Sequence, residues 1–292
     1  MTEAKLFVDC RAALAEGPFW HPLRNELFWF DILGKTLTSA SADGQVTGGW
    51  TFDGCASAAA VIDQDTLAVM TEHGIFRLDL ETNMQNRLAE VEPNTPGNRS
   101  NDCRVHPSGA WWVSTMSKAG DEDQGAGAVY HFHRGRVSKL IGDVTIPNSI
   151  CFSADGGTAY VTDTPTKRIL RAPVNPSNGL LAGDWDLFTE VTDGRGSPDG
   201  SVVDSAGYLW NARYNGHCVV RYAPDGIIDR IVDVPVGRVT CPAFGGPDLK
   251  TLFITTARES APADELAEEP ALGSIFSIEV DVPGQRDPLL AA

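Results

Sequence analysis

One repeat narrows the fold more than any other feature of the chain. A unit of roughly 40 to 50 residues recurs six times; in each copy a turn rich in Asp, Gly or Asn leads into short runs of Val, Ile, Thr, Trp and Tyr. The copies occupy residues 26–42, 61–79, 104–132, 150–174, 202–225 and 243–280. No long stretch carries the 3.6-residue apolar period of a helix. Units worth three or four short strands at this spacing read as propeller blades, so the expected fold is all-β: a six-bladed β-propeller forming a single domain over residues 1–292. A ring closes only if its ends meet, so the apolar run around Phe7 is expected to complete the sheet of the last blade. One short helix is expected at 262–269 (PADELAEE), where an acidic first turn follows a proline and Pro270 ends the run.

Charge and apolar patterning bear on partners. A formal net charge of −16 without any cluster of Lys and Arg denies the chain the basic face that phosphate binding needs, and so argues against nucleic acid. Residues 1–17 (MTEAKLFVDCRAALAEG) show no basic start followed by an apolar core, and no later run approaches about 18 apolar residues. A cytoplasmic protein without membrane attachment is therefore expected. The cysteines at 10, 55, 103, 151, 218 and 241 form no CxxC pair and sit on or beside strand-like runs, which reads as reduced, buried thiols. A monomer is the default, because a closed ring hides its own strand edges.

Chemistry on a propeller gathers at one mouth of the channel, where residues distant in sequence but equivalent in the repeat become neighbours. The loops ahead of the strand-like runs carry Glu16 in blade one, Arg99, Ser100, Asn101 and Asp102 in blade three, Asn148 in blade four and Asp199 in blade five. Glu16, Asn148 and Asp199 together make a hard oxygen-donor set suited to one divalent metal ion, with Ca, Zn, Mn, Mg and Fe(II) all compatible. Taken singly, Glu16 reads equally as a solvated loop acid, Asn148 as an Asx turn and Pro198-Asp199-Gly200 as an ordinary β-turn; a shared place in the repeat is what joins them. Arg99, among amides, offers directed donors to an oxygen-rich ligand. Asp102 is read as a group that orients its loop, with a metal-facing role left open. His131 and His133 share one strand face and lack a third ligand, so they read as a packed pair and not as a zinc centre. The absence of a G-x-S-x-G elbow argues against a serine hydrolase.

The runs EGPFWHPLRNELFWFDI, NRSNDCRVHPSGAWWVSTM, IPNSICFSADGGTAYVTDT, PDGSVVDSAGYLW and CPAFGGPDLKTLFITTAR span almost the whole chain. In combination they resemble the regucalcin and gluconolactonase family of six-bladed sugar-lactone hydrolases, in its bacterial sugar lactonase branch. The resemblance implies a divalent metal held by Glu16, Asn148 and Asp199, and Arg99 and Asn101 binding the hydroxyl and carbonyl oxygens of the sugar. It also implies hydrolysis of a sugar lactone, an aldono-1,4- or 1,5-lactone of the gluconolactone or pentonolactone type, to the aldonic acid. In that reaction Asp199 would be the catalytic base that activates water. The chain departs from the family pattern in blade three. Animal members follow Thr-Met with an acidic pair that holds substrate, whereas Thr115-Met116 here runs into Ser117-Lys118-Ala119-Gly120. That carboxylate is either missing or displaced to the neighbouring Asp121-Glu122-Asp123, of which Glu122 is taken as substrate-binding. Two other readings stay open: a non-enzymatic propeller that binds calcium or a partner protein, and a metal-dependent esterase or organophosphate hydrolase on the same fold.

Overall fold

The computed structural model describes residues 3–291. Six four-stranded antiparallel sheets are arranged as a propeller, with almost no helix. The innermost strands, Ala15–His21, Ala56–Val61, Asn98–Val105, Pro147–Phe152, Ser197–Val203 and Val239–Gly245, pack against one another around the channel. As expected, Lys5–Val8 closes the last blade by pairing with Ile275–Glu279 (Lys5↔Ser277, Leu6↔Phe276). The expected helix is present as α1 (Ala263–Glu268), entered from an extended Pro262 and placed between the second and third strands of blade six.

Two expectations are corrected. Glu16, Arg99, Asn101, Asn148 and Asp199 do not stand in loops; each lies on the innermost strand of its blade, and the runs read as inner strands, such as Glu26–Asp31, are the second strands. The innermost strands crowd a narrow channel, so they are built from small and polar residues (ASAAAV, SPDGSVV, AEGPFWH) that imitate turns. Each also carries a register shift against its neighbour, between Glu16/Phe19, Ala56/Ala58, Ser100/Cys103, Asn148/Cys151, Pro198/Ser201 and Val239/Pro242. Such bulges break the two-residue alternation by which a strand is recognised. The second correction concerns edges. Ring closure joins blade six to the N-terminal strand, yet every blade keeps an exposed outer strand, guarded by charge in runs such as QNRLA, DLFTE and IDRIVD.

Glycine is required where backbones meet at the bulges. A Cβ at Gly17, which has φ +53°, would collide with the carbonyl oxygen of Ser57, and one at Gly200 would collide with Cys241. Between blades the core is aromatic: Trp29, Trp111, Trp112 and Trp210 are fully buried, with Trp112 meeting Phe152 edge-on at 5.1 Å. All six cysteines are unpaired and all but Cys10 are buried. Residues 285–290 run across the channel floor, where Asp287 meets Arg104 at 3.4 Å and the Leu290 N–H donates to Val61 O at 2.8 Å. Among the described residues no helix is long and apolar enough to cross a membrane.

Candidate active site

Antiparallel neighbours meet at one end, so the mouth opposite that floor is lined by the starts of the innermost strands and the ends of the second strands. They enclose a cavity of about 450 Å³, which is within the usual range for a small-molecule site. Glu16, Arg99, Asn101, Asn148 and Asp199 all line it. The repeat therefore brings together the three expected metal-binding residues with Arg99 and Asn101, while Ser100, Asp102 and Glu122 are not among the lining residues. Glu122 is exposed and lies outside the lining, while Asp121 of the same 3-10 turn (Gly120–Glu122) lines the cavity. Asp102 also lies outside it. Its Oδ2 accepts the Ile150 N–H at 2.7 Å, which ties blade three to the bulge of blade four.

Glu16 and Asp199 are buried, and neither forms an ion pair among the described residues. Burial pushes both carboxyl groups well above the ordinary carboxylate range; Asp199 is driven further by the charge of Glu16, and Glu16 by that of Asp102. The Gly17 N–H, which donates to Glu16 Oε2 at 2.8 Å, opposes the shift only in part. A pair of buried carboxylates with no ion-pair partner among the described residues, and with the Arg99 charge offsetting their shift only in part, fits a hard divalent ion. Asn148 offers a third oxygen: its Nδ2 donates to Thr164 Oγ1 at 3.0 Å, which fixes the amide so that Oδ1 accepts from Asn101 Nδ2 at 3.0 Å and keeps a second lone pair. No three side chains among His, Cys, Asp and Glu converge on one point among the described residues, so the third donor would have to be this amide.

Arg99 Nη1 donates to Ser100 O and to Asn101 Oδ1, both at 2.8 Å, while Nε and Nη2 have no acceptor among the described residues. Asn101 differs from its expected part. Both hydrogens of its Nδ2 are engaged, to Pro147 O at 2.9 Å and Asn148 Oδ1 at 3.0 Å, so the amide bridges Arg99 to Asn148 and keeps only acceptor capacity for a ligand. The sequence reading missed Lys118, Tyr214 and Glu259, which also line the cavity. Lys118 pairs with Glu72 and donates to Pro96 O at 3.2 Å. All three residues stand at or just past the ends of second strands, a position equivalent in each blade and readable only once the innermost strands are placed. Away from the mouth, His131 Nε2 lies 2.7 Å from Asn178 O, and the His131 and His133 rings pack edge-on at 5.9 Å.

Residues 14–258 match the family model described as the SMP-30/Gluconolactonase/LRE-like region. The chain is 36% identical over 295 residues to the 6-deoxy-6-sulfogluconolactonase of Pseudomonas putida, with 98% of each chain covered. It is 34% identical over 277 residues to the L-arabinolactonase of Azospirillum brasilense, covering 94% of this chain and 91% of that one. A solved structure of a calcium-binding protein, regucalcin, from Agrobacterium tumefaciens superposes with a TM-score of 0.95 at 38% identity, over 99% of this chain and 97% of that chain.

Proposed function

The chain belongs to the SMP-30/gluconolactonase/LRE-like family, and from that membership we propose that it is a hydrolase that opens a sugar lactone to the aldonic acid with the help of one divalent metal ion. The observation that carries the reading is the meeting of Glu16, Asn148 and Asp199 in one cavity, together with a guanidinium that has free donors. Relatives named for gluconolactone- and arabinolactone-type substrates support a sugar lactone as the ligand.

Glu16, Asn148 and Asp199 would hold the cation. When bound there it would supply Lewis-acid polarisation of the lactone carbonyl. Arg99 orients the ring through Nε and Nη2, and Asn101 fixes Arg99 relative to Asn148, so the reacting ester is presented to water in one pose. Asp199 takes the proton from that water as general base. The water oxygen bonds to the ester carbon, the bond from that carbon to the ring oxygen breaks, and the proton held by Asp199 passes to the departing ring oxygen, which becomes a hydroxyl of the open-chain aldonic acid.

Acid release at pH near 7 tests this over a panel of aldonolactones, using metal-stripped protein with Ca²⁺, Mg²⁺, Mn²⁺, Zn²⁺ or Fe²⁺ added back. Turnover that requires a metal establishes the reading and names both ion and sugar. The Agrobacterium relative is named as a calcium-binding protein, which favours one other reading, a propeller that only binds calcium. Calcium binding without lactone opening above the spontaneous rate, whatever the metal, would move that reading ahead.

A further inference from the structure

We propose that Glu259 determines specificity by accepting hydrogen bonds from the hydroxyl groups of the ligand, beside the donors of Arg99; this rests on the lactonase reading above. Glu259 lies between the second strand of blade six (Thr251–Thr256) and α1, and it lines the cavity. Its main chain is held on both sides. The N–H donates to Ala13 O at 2.8 Å, and the carbonyl oxygen accepts from Arg238 Nη1. Arg238 also grips Glu265 of α1 through Nε and Nη2, each at 2.7 Å. The carboxylate itself has no hydrogen-bond or ion-pair partner among the described residues, although its charge acts on Arg99.

A half-buried carboxylate accepts and does not donate, so it must be met by donors from whatever fills the cavity. The carbonyl and ring oxygens of a lactone are acceptors and cannot serve. Hydroxyl groups can. A polyol placed on this wall donates to Glu259 and accepts from Arg99 Nε and Nη2, which satisfies both charged groups at once. An aryl ester or a phosphotriester has no hydrogen to offer and would leave the carboxylate desolvated and unpaired. Glu259 thus selects hydroxylated rings over plain ones, and it does so without touching the ester that reacts.

The test compares wild type, Glu259→Gln and Glu259→Leu, metal-loaded, on an aldonolactone and on its unhydroxylated parent of the same ring size. It adds calorimetric binding of the matching sugar alcohol. The carboxylate has no hydrogen-bond or ion-pair partner among the described residues, so all three proteins are expected to melt within a few degrees of one another. Glu259→Leu is expected to raise KM for the aldonolactone about tenfold, with kcat within about threefold and the parent lactone unaffected, and Glu259→Gln to fall between. Equal shifts for the two lactones, or none, overturn the proposal. If wild type opens no lactone, the lactonase reading fails and the sugar alcohol decides: binding weakened about tenfold by Glu259→Leu sustains Glu259 as a polyol acceptor, and absent or unchanged binding overturns it.

Discussion

At the residue scale, Asp199 is asked to hold a cation and to accept a proton, and these demands pull in opposite directions. Burial and the charge of Glu16 raise its proton affinity, and a bound cation would lower it. Asp199→Asn separates the two parts because the amide keeps one oxygen donor and loses the base. The expected outcome is metal binding that is weakened yet measurable by calorimetry, with kcat lower by about 10²- to 10⁴-fold. A kcat within tenfold of wild type would remove Asp199 from the role of base. Much of this site was legible in the sequence, since the repeat alone places Glu16, Asn148 and Asp199 together. Glu122 stands outside the lining, whereas Asp121 joins it, in a 3-10 turn whose first residue, Gly120, has φ +68°. The glycine marks a turn, but which of the two acids beside it faces the channel is set by tertiary packing.

At the scale of the element, the second strands were legible and the innermost ones were not. A run such as ELFWFD is buried through its middle and reads as a strand from hydrophobicity alone. Pro198-Asp199-Gly200 pairs and bulges beside Asn211 of the second strand, whose Nδ2 donates to Asp199 O at 3.1 Å, a tie across twelve residues that no local pattern predicts. The turn that leaves the innermost strand is better marked. His21 Nδ1 accepts the Leu23 and Arg24 N–H groups at 3.3 Å, His106 Nδ1 accepts that of Ser108 at 3.0 Å, and in blade five Asp204 does the same for Ala206 at 2.9 Å. Burial, and then the Arg24 charge, hold His21 down from its ordinary 6.5 to about 4. Between those values the unfolded chain binds a proton that the folded one refuses, so this stability is complete above pH 6.5 and is lost as pH falls toward 4. His21→Asn keeps an acceptor that does not titrate. Its stability to urea is expected to drop less than that of wild type between pH 7 and 4, by an amount approaching about 3 kcal/mol. Identical acid limbs for the two proteins would show that His21 is not held neutral.

For the whole molecule, closure is the property on which the mouth depends, because Glu16 on blade one faces residues of blades three to five only while the ring is shut. The N-terminal strand does more than add a fourth strand to blade six. The Ala4 N–H donates to Asp233 O at 2.9 Å on the outer strand of blade five, and Phe7 packs on Phe253 at 4.9 Å, so one short segment fastens two blades. Val8 is buried in the same cluster as Trp20 and Trp29 of blade one, which carries the fastening across the seam. Removing residues 1–9 would expose Ile275–Glu279 (IFSIE), four of whose five residues are uncharged, as an outer strand built for pairing. Loss of the Phe7 and Val8 burial is worth about 4 kcal/mol, which in a chain of this size lowers the melting temperature by roughly 6 °C. The bare edge should also drive self-association, visible as a rise in scattered light at temperatures where wild type stays monodisperse. Restoring the segment as a separate peptide should reverse both effects, because strand addition needs backbone pairing and the two apolar side chains and nothing else. A truncated chain that melts with wild type and stays monodisperse would place the closure in the blade-to-blade packing around the channel instead, and the mouth would then owe its geometry to the six bulged strands alone.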